Sequence, residues 1–302
     1  MKGKRATLLI NPGARRVAAG ADYAQIARYL GVRGIETRVV VPNGPGEATA
    51  EARRSAEAGD DFVFALGGDG TQRCVAEGLA GSETALAALP GGTVNIWCRE
   101  AGIPLGLKAA LLAHLTGQVT SMDLGRAGAR VFMLMASVGW DAAVTRRVSA
   151  AVKRRFGWAA YLMQALVAAP GFRLVDARWR SGMAVYERPL ALIVVSNTRV
   201  YGGFVRVSPG ALANDGHFDM VALCPHSTPE ALQLAVRMAR SKLNGHPCAI
   251  TARMAELQFE TAGLPFQLDG DYAGETPVSF RVEPGALRVS VPLGRLPPML
   301  GG

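Results

Sequence analysis

An apolar run from Asp61 to Leu66 leads directly into Gly67-Gly68-Asp69-Gly70-Thr71, and a helix-forming stretch, Gln72 to Leu79, follows. Glycines at such a strand-to-helix junction let the backbone approach a ligand closely and leave its N–H groups open. The helix behind them turns its positive N-terminal end toward the loop, which favours phosphate. Asp69 repels bare phosphate, so on an exposed loop it fits a residue that handles Mg²⁺ or an attacking hydroxyl. The competing explanation is a tight turn with Asp69 as helix N-cap. The spacing matches neither the Walker A loop nor the GxGxxG dinucleotide fingerprint.

Around this loop, strands and helices alternate. Ala6–Ile10, Glu36–Val41, Asp61–Leu66 and Ala85–Leu89 read as strands; Tyr23–Leu30, Glu47–Ala58 and Gln72–Leu79 read as helices. Turns stand at Asn11-Pro12-Gly13, Pro42 to Gly46 and Pro90-Gly91-Gly92-Thr93. This rhythm predicts an α/β domain with a parallel sheet over residues 1–122. Beyond it, strand-like segments recur at Val131–Val138, Leu190–Ser196, Phe218–Leu223, Glu256–Glu260 and Val278–Val282. Helical stretches interrupt near Ala142–Ala168 and Pro229–Asn244. Residues 123–302 therefore read as a mainly antiparallel β domain, its last strand free to return to the first domain.

The net charge of +9 suits an anionic partner. Aromatic residues are only 7% and do not interleave with basic ones as base-stacking surfaces require, so an anionic membrane is preferred and nucleic acid is not expected. Arg146, Arg147, Lys153, Arg154 and Arg155 precede Phe156, Trp158, Tyr161, Leu162 and Met163, a pattern that suits a membrane interface or the solvated face of an amphipathic helix. Cys74, Cys98, Cys224 and Cys248 form no CxxC pair, which points to reduced thiols. His114, His217, His226 and His246 show no metal-ligand spacing. The apolar stretch at the N-terminus is too short for a signal peptide, and Trp158–Phe172 falls short of a membrane span. The expectation is a cytoplasmic, peripherally membrane-associated protein, with a homodimer left open.

The Gly67–Thr71 loop resembles that of the diacylglycerol kinase and sphingosine kinase superfamily, and is shared by NAD kinases. Five further places carry the resemblance to the lipid kinases. Leu8-Leu9-Ile10-Asn11-Pro12 is similar to their opening strand and loop. Pro90 to Glu100 is similar to their GTxND segment, and Phe132 with Gly139-Trp140-Asp141-Ala142 to their F…G.DA stretch. Tyr201-Gly202-Gly203, Ser208-Pro209-Gly210-Ala211 and Asp215 to Asp219 resemble their GG…P.A…DG..D run, and Gln267-Leu268-Asp269-Gly270-Asp271 their late DGE motif.

The resemblance implies an ATP-binding first domain, a lipid-substrate second domain and a cleft between them. It implies ATP-dependent, Mg²⁺-assisted phosphorylation of a hydroxyl of a membrane lipid: diacylglycerol, ceramide, a sphingoid base or a related long-chain alcohol. Asn11, Gly67, Gly68, Gly70, Thr71, Thr93 and Asn95 become nucleotide-site residues. Asp69 and Asp271 become catalytic, and Asp215, Asp219 and the Met220 carbonyl a Mg²⁺ site. Three positions depart from the pattern: Asp271 replaces Glu, Ile96 replaces the Asp after Asn95, and Cys74 stands where Glu is frequent. The rivals are an NAD kinase and a catalytically impaired nucleotide- or lipid-binding regulator.

Overall fold

In the computed structural model, β1 (Lys4–Ile10) lies parallel to β2 (Ile35–Val40) on one side and to β3 (Phe62–Gly67) on the other. The structure describes residues 3–14, 23–147, 174–203, 205–243 and 245–302, without the side chains of residues 144–147 and 239. The basic and aromatic residues from Lys153 to Met163 therefore lie outside the described residues, as do the side chains of Arg146 and Arg147. By contact density the chain forms two units, Met1–Leu124 with Pro284–Gly302, and Gly125–Glu283.

In the first unit, β4 (Ala85–Pro90) runs parallel to β3, and the final part of β18 (Val278–Val291) runs parallel to β4. The order is β2-β1-β3-β4-β18. Helices α1 (Tyr23–Gly31), α2 (Pro45–Glu57) and α3 (Asp69–Leu79) make the crossovers. β3 and β4 are buried along their whole length, which is why they read as unbroken apolar runs rather than alternating ones. The chain steps outward from β1 to β2 and then back past β1 to β3. That reversal puts a topological switch point at the carboxyl ends of β1 and β3, where open α/β sheets bind ligands. α2 lays its Ala48 and Ala52 stripe on α3, and a Cβ at Gly78 would stand 2.4 Å from the Thr49 carbonyl oxygen and 2.7 Å from the Ala52 Cβ. Only glycine allows that approach.

α4 (Ile96–Glu100) and α5 (Leu107–Leu115) complete the first unit's main helices. His114 of α5 is 2% exposed, with Nε2 2.8 Å from the Ala88 carbonyl oxygen and Nδ1 3.0 Å from Ser290 Oγ. The carbonyl can only accept, so Nε2 carries the proton and Nδ1 accepts from the serine. Burial pushes the imidazole from its usual 6.5 down to about 4. The unfolded chain therefore takes up a proton that the folded chain refuses. Stability from this residue is whole above pH 6.5 and is lost as the pH falls toward 4, by about 3 kcal/mol. Urea titrations of wild type and His114→Gln at pH 7 and pH 4.5 check this. The wild-type protein should lose the larger share of its stability; equal losses would refute the assignment.

The second unit contains the six-stranded sheet β14-β13-β10-β7-β16-β17, antiparallel throughout. Its strands are β7 (Met135–Gly139), β10 (Leu192–Ser196), β13 (Phe218–Leu223), β14 (Ala249–Met254), β16 (Pro265–Leu268) and β17 (Asp271–Glu275). A further antiparallel run joins the β8 (Val175–Ser181) and β9 (Ala184–Leu190) hairpin to β15 (Glu256–Phe259) and the first part of β18. Phe132, Trp179, Phe218, Phe259 and Phe280 share one core, with Trp179 stacked on Phe259 at 6.2 Å. α6 (Trp140–Arg147) follows β7, and α7 (Thr228–Ala239) follows β13. Ser227 caps α7 by accepting from the Glu230 N–H. The short hairpin of β11 (Val200–Tyr201) and β12 (Val205–Arg206) carries the Gly202-Gly203 pair.

The fold is thus an N-terminal α/β unit with parallel strands and a C-terminal antiparallel β unit. The expected strand Val131–Val138 is two strands, β6 (Arg130–Phe132) and β7, and the expected Val278–Val282 is the start of a 14-residue strand. No helix among the described residues is long and apolar enough to cross a membrane.

Candidate active site

At the switch point of the first unit, Asn11 leaves β1 and Gly67-Gly68 leaves β3. Asn11 donates from Nδ2 to Thr71 Oγ1 at 2.9 Å and accepts from the Gly13 N–H at 2.9 Å, so one side chain ties both loops. A second loop, after β4, runs alongside: the Gly91 N–H donates to the Gly67 carbonyl at 2.8 Å. A Cβ on Gly92 would come within 2.6 Å of Gly68 Cα, so backbone passes backbone with no room for a side chain. Asn95 holds this second loop shut. It takes the left-handed region at φ 53°, accepts from the Gly92 N–H at 2.8 Å and donates to the Gly92 carbonyl at 2.9 Å. Thr93 is exposed between them, and Gly70 lies in the first turn of α3. Asn11, Gly67, Gly68, Gly70, Thr71, Thr93 and Asn95 are therefore gathered on adjoining loops around one helix N-terminus.

Asp69 does not sit on an exposed loop. It opens α3, is only partly exposed, and its Oδ1 accepts the Trp97 N–H at 3.0 Å, with the Ile96 N–H also directed at the carboxylate. Burial pushes its carboxyl above the usual carboxylate range against these donors and the Arg99 charge. Ile96 contributes through its backbone, so its apolar side chain costs no bond of this kind. Cys98 is buried beside Gln72, and burial together with the Asp69 charge pushes its thiol up to about 12. It is inert filler at neutral pH.

In the second unit, Asp269-Gly270 forms the two-residue turn between β16 and β17, with φ of 50° and 84°. Both residues are left-handed, as a type I′ hairpin requires, and Asp-Gly is the dipeptide that accepts this most readily. The Asp269 carboxylate accepts the N–H groups of Met133, Leu134 and Met135 at 2.8–3.0 Å. These donors, turned to a side chain, are what divide β6 from β7. Asp271 begins β17, opposite Leu268, with part of its surface open.

Asp215 and Asp219 flank the start of β13. The Asp215 carboxylate is paired with Arg253, and accepts the His217 N–H at 3.0 Å. Burial raises the Asp219 carboxyl above its usual range; Arg253 opposes this and the Asp215 charge adds to it. The two carboxylates thus share a neighbourhood, while Met220 is buried in β13 between β10 and β14. No group of three or more His, Cys, Asp or Glu among the described residues forms a metal cage. Carboxylates are usual ligands of a hard cation such as Mg²⁺, and in this structure the Arg253 guanidinium occupies the Asp215 carboxylate. Asp123 is 2% exposed and accepts the Gly285 N–H at 2.7 Å. Sequence reasoning also missed the part played by Asp141, Ser137 and Gln267, which are all buried and hydrogen-bonded together.

Residues 5–127 match the diacylglycerol kinase catalytic domain, and residues 135–291 match the YegS C-terminal NAD kinase beta sandwich-like domain. A probable lipid kinase YegS-like protein of Pseudomonas putida KT2440 is 32% identical, over 97% of each chain. A protein of the same description from Pseudomonas aeruginosa PAO1 is 35% identical over 92% of this chain and 89% of its own. A diacylglycerol kinase of Staphylococcus saprophyticus is 26% identical over 92% of each. The chain belongs to the YegS-like lipid kinase family. Among solved structures, a diacylglycerol kinase of Bacillus anthracis Sterne has the same fold, with TM-score 0.72, 17% identity, and coverage of 96% of this chain and 97% of that one. An Archaeoglobus fulgidus NAD kinase is a more distant likeness of fold, at TM-score 0.54 and 11% identity over 98% and 97% of the two chains.

Proposed function

We propose that this protein transfers the γ-phosphoryl group of ATP to a hydroxyl of a membrane lipid such as diacylglycerol, ceramide or a sphingoid base. The observation that carries this is the pair of side-chain-free loops meeting at Gly68 and Gly92 at the switch point, beside the first-turn N–H groups of α3. The Thr71 N–H turns back to the Gly68 carbonyl at 2.9 Å, and the Gly70 N–H before it suits a phosphate oxygen. Asn11, Thr71, Thr93 and Asn95 hold and border the loops. Asp69 contributes the negative charge nearest the phosphates. Asp271 accepts the proton of the lipid hydroxyl. Asp215, Asp219 and the Met220 carbonyl would hold a structural Mg²⁺. Mg²⁺, when bound with the nucleotide, neutralises phosphate charge. The +9 charge favours peripheral docking on an anionic surface.

The test is radiolabelled ATP with Mg²⁺ and mixed micelles of diacylglycerol, ceramide or sphingosine, with NAD as a separate acceptor. Label should enter at least one lipid. Label in NAD, or ATP binding without transfer to any lipid, would establish one of the rival activities instead.

A further inference from the structure

Three sequence motifs that lie far apart in the chain meet within the second unit at one buried carboxylate. Asp141, in the first turn of α6, is 3% exposed. Its Oδ2 accepts the Ser137 hydroxyl at 2.5 Å and the Tyr201 hydroxyl, and its Oδ1 accepts the Ala142 N–H at 2.7 Å. Ser137 Oγ accepts in turn from Gln267 Nε2 at 2.8 Å. Gln267 Oε1 accepts the Gly270 N–H at 2.6 Å, inside the Asp269-Gly270 turn that leads into Asp271. Ser137 and Gln267 are 0% and 2% exposed.

The polarity of this chain is determined at its far end. A backbone N–H can only donate, so Gln267 must present its oxygen to Gly270 and its NH₂ to Ser137. Ser137, already accepting, must then donate to Asp141. Every donor therefore points toward Asp141, and the line terminates on a group that can accept them all: a carboxylate. Burial alone raises the Asp141 carboxyl, and the hydroxyl and amide donors oppose that. A carboxylate carrying several donors in a dry site is costly to leave half-satisfied, so the arrangement holds its members in one geometry.

We propose that Asp141 is a positioning residue for Asp271, acting through Ser137, Gln267 and the Gly270 N–H to hold the turn, and that Tyr201 ties the β11–β12 hairpin to the same point. This rests on the lipid kinase reading and on Asp271 as its base. A carboxylate displaced by about 1 Å can cost ~10²-fold in rate. In Asp141→Asn an NH₂ replaces one oxygen. Facing Ser137 and Tyr201, it meets two donors; facing Ala142, it meets a third. The first orientation breaks the line at Ser137; the second keeps the line and leaves the Ala142 N–H that anchors Asp141 without its acceptor.

The experiment is a double-variant comparison. Asp141→Asn and Gln267→Met should each lower kcat ~10–100-fold while the KM for ATP stays within about twofold. Combined with Asp271→Asn, neither should lower kcat further, because the base they position is gone. Multiplied effects, or an equal change in the KM for ATP, would overturn the proposal. Tyr201→Phe removes one hydroxyl at a partly exposed residue and serves as the folded check, with a smaller loss of the same kind. Amide exchange at Gly270 gives a readout independent of turnover: protected in wild type, faster in Gln267→Met and Tyr201→Phe. Unchanged exchange in both would refute the network. If the wild-type protein phosphorylated no lipid, the kinase reading would fall, and the exchange measurement would still decide whether Asp141 controls the turn.

Discussion

Replacing Asp271 by Asn is expected to lower kcat ~10²–10⁴-fold, the usual contribution of a general base, the role proposed for it. The amide is nearly the same size as the carboxylate and cannot accept the hydroxyl proton. The turn should persist, because its geometry depends on Asp269, whose carboxylate holds three N–H groups, and on Gly270, not on Asp271. The KM for ATP should change little, since the loops assigned to the nucleotide belong to the other unit. Asp271→Glu restores the residue usual in the family this chain resembles. In a two-residue hairpin of unchanged length, the extra methylene moves the carboxylate outward, so a rate equal to or above wild type means the backbone has not adapted to Asp. A lower rate means it has. Near-normal kcat in Asp271→Asn would remove it as the base.

Asp69→Asn should cut turnover at least ~100-fold with the fold intact. The substitution isolates charge, because an asparagine Oδ1 can still accept the Trp97 N–H now held at 3.0 Å. Asp69→Ala is the contrast. It leaves that N–H without its acceptor and should add a stability loss of about 1–3 kcal/mol to the loss of rate. Turnover of Asp69→Asn within tenfold of wild type, with an unchanged circular dichroism spectrum, would show that Asp69 only joins α3 to α4.

Much of the first unit was legible because local signals agree there. Apolar runs, turn residues and the Ala48/Ala52 stripe each specify the same elements, and β1 to β4 fall within two residues of their expected bounds. The second unit was less so, for reasons that can be named. Val131–Val138 looks continuous, yet the Asp269 carboxylate, more than 130 positions away, takes the N–H groups at its centre. Pro284-Gly285 looks like the end of a strand. Instead Asp123 takes the Gly285 N–H, the chain bends at φ 61°, and β18 continues to Val291. The β8–β9 hairpin left a signal that went unread: Ala177 and Trp179 point inward between exposed Asp176, Arg178 and Arg180. At the candidate site, glycines and asparagines were visible as motifs. The links from Asp141 to Tyr201 and, through Ser137, to Gln267, and from Asp269 to residues 133–135, are long-range and were not.

The last part of β18 carries a consequence for how the molecule is made. Leu287, Val289 and Val291 are fully buried in the first unit, where β18 pairs with β4. Yet they are translated after the whole of residues 125–283. At ~5–20 residues per second, β4 waits roughly 10–40 s on the ribosome for its neighbour. During that interval an apolar strand has an open edge, the kind of surface that recruits a second nascent chain. The first unit is read first and completed last, so a ribosome that stalls anywhere in the second unit releases an unfinished first one.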